Sequence, residues 1–341
     1  MARLCSIVFG LLAVLSSTGC REAVAQSQTN APHRDRVRLQ LKWVPQAQFA
    51  GYFAAETEGF YERENIDVTF LPGGVTPSTE EVVEHGDAEI GIDWLPSLLA
   101  ERHRGPRLVN IAQVFQHSAM REIAWHSSGI HSVDDLSGRR VGVWRGGSQY
   151  ELLATLTRHG IDPQRDIRLF EVQVPGQGID MFLAHQLDAT GAMTYNEYRR
   201  VLDSGVRADE IHVIDFNAEG TAMLEDGLFV REDWLRDRRN EDLAVRFVRA
   251  SLRGWAFCRD HAEQCVDITM RKDPRLDRAR QAWMMTEVNR LVWATPAPAL
   301  GYMQPAAFAR TADIATRFGI TSRRAVADAY THKIWERAQR P

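Results

Sequence analysis

Apolar and polar residues alternate along several short stretches of the chain, which is the pattern of β-strands with one buried face. In the first stretch, apolar residues at 37, 39 and 41 alternate with polar ones at 38, 40 and 42. Further strands are predicted at 66–71, 88–92, 109–115, 141–143, 167–172, 189–193, 211–216 and 228–230. Helical spacing of apolar residues separates these strands and dominates from Glu232 onward. Strands alternating with helices predict an α/β fold.

The stretch 39–61, LQLKWVPQAQFAGYFAAETEGFY, contains the first predicted change from strand to helix. The strand is expected to end near Trp43, Pro45 breaks the extended run, and a helix begins at Ala47. In open α/β sheets, ligands bind outside the carboxyl ends of the strands. This position predicts that four residues line a cleft: Trp43, Gln46, Gln48 and Tyr52. The alternative for Trp43 is a role as a core aromatic.

Other polar and aromatic side chains follow later strands of the first half. Asp93 and Trp94 fall on the strand-to-helix turn after 88–92, and Gln116 follows the strand at 109–115. We expect all three to face the same cleft as Trp43. Asp93 has the alternative role of capping the helix that follows it.

A turn of aromatic and small residues follows the predicted strand at 141–143. Trp144, Gly146, Gly147 and Ser148 form this turn, and Ser148 with Glu151 has the spacing of a capping box. The glycines allow close backbone approach, and free amides at a helix start favour an electronegative ligand group. No full dinucleotide or phosphate-loop motif is present in the sequence, so the turn predicts a grip on polar ligand atoms rather than a nucleotide site.

The segment after the predicted strand at 189–193 combines an aromatic ring, an amide and a carboxylate. Tyr195 can stack on a ring, Asn196 can donate and accept at a ring edge, and Glu197 can accept from a ring amine or hydroxyl. This set predicts binding of a flat nitrogen heterocycle. The alternative for Glu197 is helix capping. Glu225, just before the return strand, is also a predicted ligand contact.

Composition excludes several classes of function. The net charge of -4 gives no basic surface for nucleic acid. Cys258 and Cys265, seven residues apart, can form a local disulfide in an oxidising compartment. The sequence shows no metal-ligand spacing, and we expect neither a metal nor a cofactor.

The amino terminus has the layout of an export signal at 1–25, followed by a flexible tether at 26–36. Arg3 precedes an apolar run too short to span a bilayer. Two cleavage patterns compete: an ordinary site after Ala25, and a lipoprotein site that leaves a lipidated Cys20. The remaining chain exceeds the usual size of a single core, which predicts two lobes.

Five blocks carry a family resemblance: KWVPQAQFAGYF, GFYERENIDVTFLPGG, VVEHGDAEIGI, DDLSGRRVGVWRGG and AMTYNEY. They resemble the periplasmic solute-binding family that includes thiamine-pyrimidine-precursor and riboflavin importers, aliphatic sulfonate binders and thiamine-pyrimidine synthase. The resemblance covers about 37–262 and is greatest to the riboflavin-binding branch. It implies a two-lobed periplasmic binding protein of type II, each lobe a mostly parallel mixed sheet flanked by helices. Lobe 1 is then 37–126 with 227–341, lobe 2 is 127–226, and the crossings between them form a hinge.

The resemblance implies a non-enzymatic role: a monomeric, extracytoplasmic binding component of an ABC importer, periplasmic or anchored as a lipoprotein. Its partners would be an inner-membrane permease and a vitamin or vitamin precursor, either a thiamine pyrimidine precursor or riboflavin. The alternative is a synthase-like enzyme that uses pyridoxal phosphate. Where that synthase has its lysine and histidine, this chain has Asp93 and Ser97, which disfavours the enzyme.

Overall fold

The computed structural model describes residues 34–74, 76–144, 149–172, 176–293, 299–323, 325 and 327–340. The strands in these ranges are β1 Asp35–Gln40, β2 Ile66–Leu71, β3 Ile90–Trp94, β4 Leu108–Gln113, β5 Met120–Trp125, β6 Arg140–Trp144, β7 Arg168–Val172, β8 Ala189–Met193, β9 Ile211–Asp215 and β10 Asp226–Arg231. The α-helices are α1 Ala50–Thr57, α2 Phe60–Arg63, α3 Thr79–Glu84, α4 Leu95–Arg104, α5 Gln149–Arg158, α6 Gln177–Leu183, α7 Glu197–Asp203, α8 Phe216–Glu219, α9 Glu232–Leu235, α10 Arg238–Asp260, α11 Ala262–Met270, α12 Arg278–Val292, α13 Pro305–Arg317 and α14 Lys333–Ala338.

The strands form two five-stranded sheets with the same arrangement. Sheet one has the order β2-β1-β3-β10-β4, and sheet two has the order β7-β6-β8-β5-β9. In each sheet the first three strands are parallel, and one antiparallel strand lies between the third strand and the last. The antiparallel strand in each case belongs to a chain segment that has crossed over from the other sheet. The α/β class and the mostly parallel mixed sheets agree with the sequence-based prediction.

The chain crosses between the sheets at 114–119 and again at 220–225. The first crossing was predicted one strand too late, because β5 pairs with β8 and β9 and so belongs to sheet two. Arg121 and Glu122 interrupt the apolar pattern of β5, although Glu122 is buried. After the second crossing β10 begins at Asp226, one residue before the predicted start of the return segment at 227. β1 begins at Asp35, so the predicted tether extends two residues too far.

Helices α1 and α10 pack at close range on sheet one. A Cβ atom at Gly254 would lie 2.0 Å from the carbonyl oxygen of Gly51, and one at Gly51 would meet the ring of Trp255 at 2.2 Å. The two glycines therefore allow a helix separation that no larger residue permits. Tyr52 lies in the same interface, edge-on to Trp255 at 5.5 Å between ring centroids.

Cys258 near the end of α10 is bonded to Cys265 of α11, with 5.5 Å between the two Cα atoms. The bond joins the two helices across the turn at His261 and fixes the direction in which α11 leaves α10. Among the helices of the described ranges, none combines the length and apolar character needed to cross a bilayer.

Glu122 is a buried carboxyl group in sheet two, and its protonation in the folded state can be tested. Its side chain is 1% exposed and one carboxylate oxygen has no hydrogen-bond partner. Burial raises the pKa of Glu122 well above its usual value, so the folded state holds a proton that the unfolded chain releases above about pH 4.5. Stability from this proton is fully present below that pH and is lost as pH rises. The free energy of unfolding of Glu122→Gln should therefore rise relative to that of the wild type, by up to about 1.4 kcal/mol per pH unit above pH 5.

Thermal unfolding from pH 5 to pH 8 measures this difference. Glu84→Gln, at an exposed position on α3, serves as the matched control and should follow the wild type throughout. A Glu122→Gln curve that runs parallel to the wild type at every pH contradicts a protonated Glu122 in the folded state.

Candidate ligand-binding cleft

A cavity of about 650 Å³ lies between the two sheets, at the carboxyl ends of their parallel strands. Its first wall comes from the segments after β1 and β3 with α3 and α4, and its second wall from the segments after β6 and β8 with α5. The volume lies within the range of small-molecule sites. Nine of the predicted site residues line it: Trp43, Gln46, Gln48, Asp93, Trp94, Trp144, Tyr195, Asn196 and Glu197. That these residues contact a ligand stays a prediction.

Three predicted site residues do not line the cavity. Tyr52 points from α1 into the interface with α10, because the helix begins later than expected and turns this face inward. Gln116 donates to the carbonyl oxygens of Gln113 and Tyr302 and so holds loops together. Glu225 is buried in the second crossing. Gly146, Gly147 and Ser148 lie outside the described residues, as does Cys20.

Glu225 ties the two crossings to each other instead. Its Oε1 accepts hydrogen bonds from the backbone N–H groups of Ala119, at 2.8 Å, and Met120, at 3.2 Å. The Ser118 hydroxyl lies 2.9 Å from Glu225 and 2.8 Å from Glu151 of α5, and Glu151 also accepts from the Met223 N–H. The same carboxylates therefore connect both crossings and the first helix of sheet two.

One serine hydrogen cannot serve two carboxylates, so one of the two acids must carry a proton. Burial raises the pKa of Glu151 to about 8 and raises that of Glu225 well above its usual value. The cluster is thus a pair of buried acids that meet at Ser118, at the junction between the two sheets.

A chain of amides runs from the loop after β1 to the return strand. Gln46 donates to Gln48 at 2.7 Å, and Gln48 donates to Asp226 at 2.8 Å. Burial raises the pKa of Asp226 to about 6, while the bond from Gln48 and the charge of Lys42 lower it. These two hydrogen bonds fix the side chains of both glutamines in the cleft wall, with Asp226 as the final acceptor.

The turn from β8 to α7 places three neighbouring side chains in the second wall: Tyr195, Asn196 and Glu197. Glu197 accepts from the Met193 N–H at 3.1 Å and from the Asn196 side chain at 2.9 Å. Burial raises the pKa of Glu197 to about 7, so near neutral pH it can donate as well as accept at a ring edge. Its bond to Met193 joins the end of β8 to the start of α7, and no side chain caps α7, so the capping alternative is wrong.

Lys42 lies in the first wall beside Asp93 and was not predicted from the sequence as a site residue. Lys42 extends from the end of β1 to an ion pair with Asp93, and its ammonium lies 4.5 Å from the centroid of the Trp94 ring. Burial lowers the pKa of Lys42, but the carboxylates of Asp93, Glu80 and Asp226 raise it more, so the ammonium form persists. Asp93 also accepts from the Trp94 N–H at 2.6 Å and makes no side-chain cap. Its position after a buried strand was the signal that identified it.

Glu80 and Ser97 were missed for a different reason, since both lie inside short helices that read as solvent-facing. Glu80 is 3% exposed, and both its Oε1 atom and the Ser97 hydroxyl are buried without a hydrogen-bond partner. Both residues line the cavity. The capping box of Ser78 with Glu81, which starts α3, turns Glu80 toward the cleft.

Within the described ranges, no group of three His, Cys, Asp or Glu side chains is arranged to hold a metal ion.

A family model described as NMT1/THI5 like matches residues 46–265, which is more than half of the 341-residue chain. The chain belongs to the NMT1/THI5-like family. Eight of the nine cleft-lining residues predicted from the sequence fall within the matched range, and Trp43 lies just before it.

This member of the NMT1/THI5-like family has relatives of two kinds. It is 26% identical over 290 residues to the riboflavin-binding protein RibY of Chloroflexus aurantiacus, covering 80% of each chain. It is 23% identical over 264 residues to the 4-amino-5-hydroxymethyl-2-methylpyrimidine phosphate synthase of Legionella pneumophila, covering 71% of this chain and 75% of that protein.

A solved structure confirms the predicted fold class. The alkanesulfonate-binding protein SsuA from Xanthomonas axonopodis pv. citri superimposes with a TM-score of 0.66 at 16% identity, covering 88% of this chain and 99% of SsuA. The NMT1/THI5-like chain thus has the periplasmic binding protein fold, and the suspected superfamily is confirmed.

Proposed function

We propose that this protein is the extracytoplasmic binding component of an ABC importer, and that its ligand is a vitamin or vitamin precursor with a flat nitrogen heterocycle. The observation that carries the proposal is the composition of the cleft. Aromatic rings come from both walls, Trp43 and Trp94 from the first and Trp144 and Tyr195 from the second. Asn196 and Glu197 lie beside Tyr195 with donors and acceptors for a ring edge.

The arrangement of the two sheets supports a binding role. A ligand that touches both walls favours the closed form, because only that form offers all its contacts. The crossings at 114–119 and 220–225 are the segments that would bend. The proposal includes export, with the mature protein periplasmic or anchored through Cys20, and an inner-membrane permease as partner.

Carboxyl groups at the cleft disfavour an anionic ligand. Glu80, Asp93 and Glu197 line the cavity, and Asp226 lies beneath Gln48. The two cationic side chains among the described lining residues are already paired: Lys42 with Asp93, and Arg104 with Glu101. A sulfonate would meet no free cation among the described lining residues.

A synthase-like enzyme that binds pyridoxal phosphate is the second candidate, and Lys42 in the cleft is the observation in its favour. The residues present do not fit that cofactor. Lys42 is held as an ammonium ion by its ion pair with Asp93, whereas bond formation to an aldehyde needs the free amine. The nearby carboxyl groups also disfavour a phosphate dianion.

Mass spectrometry of small molecules extracted from the purified protein tests the proposal. We expect a flavin or an aminopyrimidine, and calorimetric titration of the stripped protein with the same compound should then give a 1:1 complex. An alkanesulfonate as the extracted ligand would overturn the proposal. So would an internal aldimine absorption band after addition of pyridoxal phosphate, provided that Lys42→Met abolishes that band.

A further inference from the structure

The first wall contains a group of hydrogen-bonding side chains that the ring-binding role does not use. We call it the polar subsite: Lys42, Glu80, Asp93 and Ser97 of the first wall, faced by Tyr150 of α5. Tyr150 lines the same cavity from the second wall. The first-wall part of the polar subsite comes from β3, α3, α4 and the segment after β1, whereas the ring-edge groups belong to the β8–α7 turn.

The charges in the polar subsite cancel. Lys42 and Asp93 form an ion pair, and Arg104 and Glu101 at the rim form another. Burial raises the pKa of Glu80 well above its usual value, and Asp93 raises it further, against the lowering effect of Lys42. Burial is the largest of these effects, so it favours the protonated form of Glu80. Because the charged groups of this region are already paired, a ligand needs no charge of its own to bind there.

Two of its polar atoms lack the partners that buried groups require. Glu80 Oε1 and Ser97 Oγ are buried and make no hydrogen bond within the protein. An unsatisfied buried polar group costs about 1–3 kcal/mol, so a ligand that supplies the missing bonds recovers that cost. Glu80 is 3% exposed and lines the cavity, so a ligand in the cavity can supply its missing hydrogen bond.

We propose that the polar subsite binds a neutral polyhydroxy chain carried by the heterocyclic ligand. A hydroxyl both donates and accepts, and the subsite offers both kinds of partner: the Lys42 ammonium donates, Glu80 and Asp93 accept, and Ser97 and Tyr150 do either. An amine would be repelled by Lys42, and an apolar tail would leave Glu80 and Ser97 unsatisfied. This inference rests on the proposed function, since the ring must lie against the aromatic residues for its chain to reach α3 and α4.

Two flavins that share one ring system test the inference: riboflavin, with its polyhydroxy side chain, and lumiflavin, with a methyl group in its place. We expect the wild type to bind riboflavin at least about tenfold more tightly than lumiflavin. Ser97→Ala and Glu80→Met should each weaken riboflavin binding about 3- to 30-fold and leave lumiflavin binding unchanged. Glu80→Gln, which keeps a donor and an acceptor, should retain most of the riboflavin affinity.

Lumiflavin binding shows in each variant that the protein is folded and the ring site intact. Equal affinity of the wild type for the two flavins would overturn the polyhydroxy subsite while leaving the proposed function in place. Binding of an aminopyrimidine but of neither flavin would have the same meaning. Failure of the two flavins and the aminopyrimidine to bind would overturn the proposed function itself.

Discussion

Replacing Trp43 with alanine should weaken ligand binding roughly 10- to 1000-fold. The ring lines the cleft at the end of β1 and packs with its other side on the core. A stacked aromatic pair contributes about 0.5–1.5 kcal/mol beyond its buried area, and burial of a large apolar group adds roughly 1.5–3 kcal/mol. Each 1.4 kcal/mol corresponds to about a tenfold change in affinity.

Glu197→Gln should cost less than Trp43→Ala. The Glu197 carboxylate already accepts two protein hydrogen bonds, and burial raises its pKa to about 7, so a neutral amide mimics the form present near that pH. Calorimetry with the compound extracted from the protein compares both variants. Trp234→Ala, at a partly buried tryptophan outside the cleft, is the matched control and should bind normally. Loss of binding in Glu197→Gln with near-normal binding in Trp43→Ala would show that polar contacts, not stacking, dominate the affinity.

Gly254→Ala should destabilise the protein by about 1–3 kcal/mol or more, although alanine favours an isolated helix over glycine by about 1 kcal/mol. The added Cβ would lie 2.0 Å from the Gly51 carbonyl oxygen and 2.8 Å from Ala55. Both neighbours are backbone or short groups that cannot rotate away, so α10 must move from α1. The sign of the effect thus separates packing from helix propensity.

Chemical denaturation of the variant and the wild type measures this change. Gly74→Ala is the control for stability, because a Cβ at Gly74 meets no atom within 4 Å. An increase in stability for Gly254→Ala would contradict the close approach of the two helices.

The elements that the sequence predicted best are those whose pattern is set by local burial. β2 at Ile66–Leu71 and β8 at Ala189–Met193 have the predicted limits, since turn residues flank each alternating or apolar run. β5 was missed because Arg121 and Glu122 lie inside it. Burial in that layer raises the pKa of Glu122, and a single sequence carries no signal for that shift.

The aromatic and amide part of the cleft was predictable because strand ends locate it. In the polar subsite only Asp93 was predicted. Lys42 and Glu80 resemble solvated charges in the sequence, and only the approach of Asp93 from another strand brings Lys42 inward. Glu225 was placed in the cleft because it precedes a strand, but its partners Ala119 and Met120 are more than a hundred residues earlier. Contacts over such distances leave no local pattern.

The position of β10 within sheet one has a consequence for the order in which the chain folds. β10 lies between β3 and β4, so β4 has no strand to pair with in that sheet until residue 231 is available. All strands of sheet two fall within 120–215 and can pair before then. We therefore expect residues 120–215 to fold first, while β4 and its apolar residues remain unpaired. Such a non-local closure slows folding and exposes a strand edge to aggregation. A chain that emerges across a membrane from its amino end would pass through this vulnerable interval each time it is made.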